Sequence, residues 1–333
     1  MNVWTVMALS FALAAALTPL WRSLAARLGF LDQPNERSSH RRVTPRGGGI
    51  ALVAAVGVTL LAAPVDWTAG RVGLGLGALL VAVVGLWDDR FGLSPLVRFA
   101  FHLAAALGLV LIVGGLDRFP LPPPLDLPVG PLGGPLAVLW IVAVVNFYNF
   151  MDGIDGIAAL QGLVTGGGLA LLGGDPFTQT LGAALAAGCL GFLLYNWSPA
   201  SIFLGDIGSG FLGFTLAALP LLTPPPGRAS TVLFVAISLG LFLSDASFTL
   251  FRRVVRGERW YHAHREHLYQ RLVATSLGHA TVTGGIGLAA AVLTALALVA
   301  SRTEEPRWTW AVLAAGAALY ALEAALVRRR ESR

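Results

Sequence analysis

Three observations predict an all-α, polytopic integral membrane protein with about ten or eleven transmembrane helices. Hydrophobic residues make up 56% of the chain and charged residues only 12%. Mean hydropathy is +0.72. Apolar runs recur along almost the whole of the 333 residues. A soluble domain carries about 25% charged residues, whereas a helix crosses the bilayer core with roughly 20 apolar ones. No stretch remains for a separate soluble domain, so residues 1–333 are expected to form a single transmembrane unit.

In chain order the predicted spans are 3–21, 49–65, 71–87, 96–115, 134–151, 155–173, 178–196, 207–223, 230–251, 282–300 and 309–327. The first lacks a basic leader and a small-residue cleavage site, which predicts a retained span rather than a signal peptide. The single cysteine, Cys189, lies inside an apolar run and excludes a disulfide within the chain.

All 23 basic residues are arginines, and the net charge is +5. Eighteen of them follow spans one, three and nine or sit in the C-terminal tail; Arg71, Arg118, Arg228, Arg302 and Arg307 fall on the other side. Loop arginines of this asymmetry mark the cytoplasmic face of a membrane protein. The bilayer is therefore the expected partner and nucleic acid is not. The same reading places the N-terminus outside and the C-terminus inside.

The acids gather on that arginine-rich face. Asn146-Phe-Tyr-Asn149-Phe-Met-Asp152-Gly-Ile-Asp155-Gly156 closes the fifth span with two carboxylates three residues apart, which share a face if a helix ends or starts there. Ionisable groups at the end of a membrane helix are costly and are functional candidates; a loop leaving the membrane is the plainer alternative. Asp88-Asp89, after span three, can share a divalent cation or divide base and binding roles, or form a solvated turn with Arg90. Asp206 lies between Gly205 and Gly208 at the start of span eight, where it suits a hard cation such as Mg²⁺ or an N-cap. The loop 31–49 combines Arg37, His40, Arg41, Arg42 and Arg46 with Gly47, Gly48 and Gly49. It can cradle phosphate or simply set orientation. His264, Arg265, His267 and Arg271 occupy the long loop after span nine and suggest phosphate contacts or proton transfer; zinc is disfavoured because no cysteine completes a site. His102 and His279 stand alone near span ends and are expected to be structural. Acids, amides and basic loops around one membrane face together fit Mg²⁺-assisted phosphoryl transfer.

The motifs resemble those of the polyprenyl-phosphate N-acetylhexosamine-1-phosphate transferases. The match runs through Asp32-x-Pro-Asn35 to Gly49, Asp88-Asp89-Arg90, Asn149-Phe-Met-Asp-Gly-Ile-Asp155-Gly156, Pro199-Ala-x-Ile-Phe-Leu-Gly-Asp206-x-Gly-Ser209 and Ala263-His264-Arg265. It covers about residues 30–272, leaving two C-terminal spans and a basic tail in 282–333. The segment around Asp245, Arg252-Arg253 and His264-Arg-Glu-His267-Leu-Tyr-Gln resembles the O-antigen-initiating branch, and the triple histidine of the muramoyl-pentapeptide branch is absent. The resemblance implies that undecaprenyl phosphate attacks a UDP-N-acetylhexosamine, releasing UMP. It implies Mg²⁺, with Mn²⁺ as the alternative ion, held by Asn149 and Asp206. Asp88 or Asp89 would position or deprotonate the lipid phosphate, Asp152 and Asp155 would shape the pocket, and Asn196 would lie near the uridine. Arg37, His40, His264, Arg265 and His267 would face phosphate charge, with His264 also counted among the catalytic groups. A homodimer is a candidate assembly. Two rivals predict different chemistry. A secondary transporter would place charge near the membrane midplane, and a CDP-alcohol phosphotransferase would carry Asp-Gly-x-x-Ala-Arg where this chain has Asp152-Gly-Ile-Asp155.

Overall fold

The computed structural model describes residues 1–34, 42–225, 227–258, 265–303 and 305–332. Among them, apolar runs fold into helices α1 (Val3–Leu28), α2 (Gly49–Ala62), α3 (Ala69–Phe91), α4 (Pro95–Val113), α5 (Gly133–Phe150), α6 (Ile157–Leu172), α7 (Pro176–Asn196), α8 (Gly205–Ala218), α9 (Gly227–Ser238), α10 (Gly240–Val255), α11 (Leu268–Ala274), α12 (His279–Ser301) and α13 (Pro306–Glu331). Several starts are legible as caps. Asn2, Thr68, Ser94 and Asp175 each accept a first-turn N–H with a side-chain oxygen. Pro95 and Pro176 then occupy the first helical position, where a missing N–H costs nothing.

Among the described residues, eight helices are long and apolar enough to cross a membrane: α1, α3, α4, α5, α7, α8 with the short turn that extends it to Leu222, α12 and α13. Helices α2 and α6 are shorter apolar helices. Every predicted span thus corresponds to a helix, with one correction. The ninth, expected as one span over 230–251, is broken between α9 and α10, which meet at 76°. The break lies at Ser238-Leu239-Gly240, and buried polar groups from neighbouring helices supply what the broken ladder loses. Gln161 Nε2 donates to Ser238 O at 2.9 Å and to Thr165 Oγ1 at 2.9 Å, while Ser238 Oγ lies 2.9 Å from Thr165 Oγ1 and 2.6 Å from Thr294 Oγ1. In hydrocarbon an open backbone carbonyl is tolerated only when protein groups satisfy it. The loop after span nine also contains α11, one short helix whose Leu268, Tyr269 and Leu272 are buried.

The most enclosed helices are α7 and α8. Helix α7 packs between α1, α2 and α6; α8 packs between α3 and α5, with α2 alongside; α9, α12 and α13 close the remaining side. Lipid offers no hydrophobic drive for helix pairing, so small residues set the close approaches. A Cβ on Gly49 would stand 2.3 Å from Gly208 Cα, and one on Gly85 would stand 2.4 Å from Asp206 O. These contacts draw α2, α3 and the N-terminus of α8 together.

Candidate active site

The ends of five elements meet at one pole of the bundle. Strands β1 (Leu31–Asp32) and β2 (Thr44–Pro45) pair antiparallel, and the chain beyond β2 is stitched to the loop before α8. Phe203 N donates to Pro45 O at 2.9 Å, Gly48 N to Phe203 O at 2.9 Å and Gly49 N to Leu204 O at 2.8 Å. This stitching delivers Arg46 to the carboxylates. Its Nε lies 2.6 Å from Asp89 Oδ1 and its Nη2 2.6 Å from Asp206 Oδ1. From the first turn of α4, Arg98 Nη1 reaches both Asp88 Oδ2 at 2.7 Å and Asp206 Oδ2 at 2.6 Å. From the last turn of α5, Asn149 Nδ2 donates to Asp206 Oδ2 at 3.3 Å, and Ser209 Oγ donates to Asn149 Oδ1 at 2.8 Å. Asp206 is therefore the centre of the cluster, with a guanidinium on each carboxylate oxygen.

The Asp88-Asp89 pair divides its work. Asp89 has a fully buried carboxylate that accepts Asp206 N–H at 2.8 Å and Ile207 N–H at 3.2 Å. It caps the first turn of α8 from a neighbouring helix, a favourable place for an anion. Gly205 makes room for it, because a Cβ there would sit 2.3 Å from Asp89 Oδ2 and the residue has φ +77°. Asp88 instead turns toward Arg98 and the Leu93 N–H, at the rim of the cluster.

Asp152 and Asp155 occupy the connection between α5 and α6 and have different surroundings. Among the described residues the Asp152 carboxylate has no hydrogen-bond or ion-pair partner, yet it lies within electrostatic reach of Asp206, Arg46 and Asp89. Burial, and next the charge of Asp206, push its pKa up to about 8. Asp155 is a brace. Its Oδ2 accepts Ala200 N–H at 3.1 Å and lies 3.3 Å from His279 Nδ1, and its carbonyl accepts from Thr283 Oγ1 at 2.7 Å. Burial alone would raise the Asp155 pKa; contact with His279 and the Ala200 N–H outweigh it and hold the carboxyl below its ordinary value.

Of the other predicted site residues, Asn196 and His267 have their side chains turned to other partners. Asn196 is buried and donates to Ile202 O at 2.9 Å, so its amide holds the loop that precedes α8. His267 is buried beside Asp245, its ring stacked on Tyr269 with centroids 5.8 Å apart. Arg265 is exposed. Arg37, His40 and His264 lie outside the described residues. Sequence reasoning counted Arg98 only toward membrane orientation and left Arg46 between a phosphate cradle and orientation, naming neither among the site residues. Arg98 stands ten residues after Asp88, a spacing that only a turn between α3 and α4 converts into contact.

Among the described residues, no three histidine, cysteine or acidic side chains converge in the manner of a metal centre. The donor chemistry nonetheless fits Mg²⁺, which binds through one or two carboxylates and takes its remaining oxygens from water and phosphate. Asp206 and Asp88, with Asn149 beside them, offer such hard oxygen donors at one end of the bundle.

Fold and site together define a membrane-embedded protein whose charged side chains are concentrated where five elements end, rather than at mid-span. Residues 72–223 match glycosyl transferase family 4. The chain is 32% identical over 268 residues to the probable undecaprenyl-phosphate N-acetylglucosaminyl 1-phosphate transferase of Bacillus subtilis (strain 168), covering 79% of this chain and 75% of that protein. It is 33% identical over 301 residues to the decaprenyl-phosphate N-acetylglucosaminephosphotransferase of Mycobacterium tuberculosis (strain ATCC 25618 / H37Rv), covering 78% and 73%. It is 32% identical over 272 residues to the phospho-N-acetylmuramoyl-pentapeptide-transferase of Heliobacterium modesticaldum (strain ATCC 51547 / Ice1), covering 74% and 82%. The chain belongs to this family, the polyprenyl-phosphate N-acetylhexosamine-1-phosphate transferases, and is a multi-pass membrane transferase.

Proposed function

We propose that the protein transfers N-acetylhexosamine-1-phosphate from a UDP-N-acetylhexosamine to undecaprenyl phosphate, yielding undecaprenyl-diphospho-N-acetylhexosamine and UMP. This would be the first membrane step of a cell-surface polysaccharide. The observation that carries the reading is the convergence of Asp88, Asp206, Asn149, Arg46 and Arg98 at one pole of the bundle. N-acetylglucosamine is the first donor to test, because two relatives are named for it. The arginine asymmetry of the loops supports a cytoplasmic site, where nucleotide sugars are made.

In this reaction an oxygen of the lipid phosphate attacks the β-phosphorus of the donor. A new P–O bond forms there as the bond from that phosphorus to the bridging oxygen breaks, and UMP leaves with the electron pair. Direct attack is favoured over a covalent enzyme intermediate, because a charge-neutralised diphosphate needs orientation more than an extra nucleophile. Arg46 and Arg98 present planar donors suited to phosphate oxygens. Asp88, at the rim, is placed to orient the acceptor phosphate, whereas Asp89 holds α8 and hence Asp206 in position. Mg²⁺, held by Asp206 with Asn149 beside it, would neutralise charge on the diphosphate.

The test uses purified protein, undecaprenyl phosphate, MgCl₂ and a panel of UDP-N-acetylhexosamines, with UMP and lipid-linked product measured. Lipid-dependent UMP release that stops with EDTA and is absent in Asp206→Asn is expected. Release without the lipid acceptor, or substantial turnover in Asp206→Asn, would overturn the assignment.

A further inference from the structure

The connection that carries Asp152 is held from outside by α11, which lies beyond the described carboxylate cluster in both sequence and contacts. Tyr269 of α11 is fully buried, and its hydroxyl donates to Phe150 O at 2.9 Å. Phe150 is the last residue of α5, so this carbonyl has no partner within its own helix. The same hydroxyl oxygen lies against the Gly153 backbone. Gly153 fits closely against it: a Cβ at that position would stand 2.2 Å from Tyr269 Oη and 3.1 Å from Gln270 Nε2. One hydroxyl thus spans the residues on either side of the Met151-Asp152 pair.

The tyrosine is itself held firmly. Leu268 N donates to Asp245 Oδ1 at 3.0 Å, anchoring the start of α11 to α10. His267 stacks on the Tyr269 ring and lies 6.4 Å from the Phe150 ring. A run of contacts therefore leads from Asp245 in α10, through Tyr269, to the backbone that aims Asp152. Asp152 needs such help, since no side chain among the described residues holds its carboxylate.

We propose that Tyr269 is a positioning residue for the transfer reaction: its hydroxyl, seated between Phe150 O and Gly153, fixes the Asp152 carboxylate beside the Asp206 cluster. This rests on the function proposed above. Tyr269→Phe keeps the ring and removes only the bridging oxygen. A misplacement of about 1 Å, even from a change away from the chemistry, can cost about 100-fold in rate, so a pocket with Asp152 misaimed is expected to lower kcat about 10- to 100-fold. The KM values for donor and acceptor should stay within about twofold, the signature of lost transition-state interaction. Gly153→Ala forces a methyl against the hydroxyl and should lower kcat too. In the double variant the oxygen that the methyl strikes is gone, so kcat should exceed the product of the two single effects.

The measurement is kcat and both KM values for the wild type, the two single variants and the double variant, normalised to folded protein, with the melting midpoint of each. Wild-type kcat in Tyr269→Phe with a lowered midpoint would overturn the proposal in favour of a purely structural tyrosine. Strictly additive losses would overturn the contact. An inactive wild type would overturn the functional reading, and the role of Tyr269 with it.

Discussion

Replacing Asp89 by asparagine separates a brace from a reacting group. The carboxylate is fully buried and makes three close contacts: Arg46 Nε at 2.6 Å, Asp206 N at 2.8 Å and Ile207 N at 3.2 Å. Hydrogen bonds to charged groups each contribute about 1.5–3 kcal/mol. Asparagine keeps one acceptor oxygen, loses the charge and turns an NH₂ toward donors that need an acceptor. The net cost is therefore about 3 kcal/mol, close to that of breaking a buried ion pair by removing one partner. At about 2–4 °C per kcal/mol, the melting midpoint in detergent should fall by about 6–12 °C. Turnover should drop but remain measurable, because Asp206 is displaced rather than removed. Asp88→Asn, at the rim, should move the midpoint less. An Asp89→Asn protein that melts within about 1 °C of wild type yet releases no UMP would refute the reasoning and make Asp89 a reacting group.

Two other perturbations follow from the same geometry. Arg98→Met leaves Asp88 and Asp206 without their shared cation; at about 2–4 kcal/mol for a partly buried pair, kcat/KM should fall by at least about tenfold, whereas Arg98→Lys should retain more, and equal activity in both would remove Arg98 from the site. Gln161→Leu leaves the Ser238 carbonyl and Thr165 short of a partner, so a loss of about 1–3 kcal/mol is expected in denaturant melts, and an unchanged midpoint would show that the α9–α10 break is satisfied some other way.

The helices were legible because hydropathy speaks for itself in a chain with so few charges, and Asp206 and Asn149 were legible because each sits in an acid- or amide-rich motif at a span end. Arg98 was not, since an arginine beside a loop already has an orientational explanation and only the turn from α3 into α4 shows that its guanidinium bridges two carboxylates; Arg46 was half legible, as part of a loop able to hold phosphate but with no sign of the carboxylates it meets. Nor could Asp88 be told from Asp89 by spacing; helix phase points one toward the rim and the other under α8. The break at Leu239 hid inside an apolar run, because the groups that permit it, Gln161 and Thr294, are 77 and 56 residues away from Ser238. Asn196 and His267 are polar residues near the right motifs whose side chains fold inward, a choice set by packing that sequence alone leaves open.

The bend between α9 and α10 has a consequence for how the chain is built into its membrane. At 1.5 Å per residue, α9 with 12 residues and α10 with 16 reach only about 18 and 24 Å, each short of a hydrocarbon core of about 30 Å. Neither half is a stop signal by itself, and the bend between them exposes a carbonyl and a hydroxyl that lipid cannot satisfy. Gln161 and Thr165 are synthesised before that bend, but Thr294 emerges after it. The bend is thus completed by a residue not yet made when it leaves the ribosome, which ties the settling of α9 and α10 to the arrival of α12.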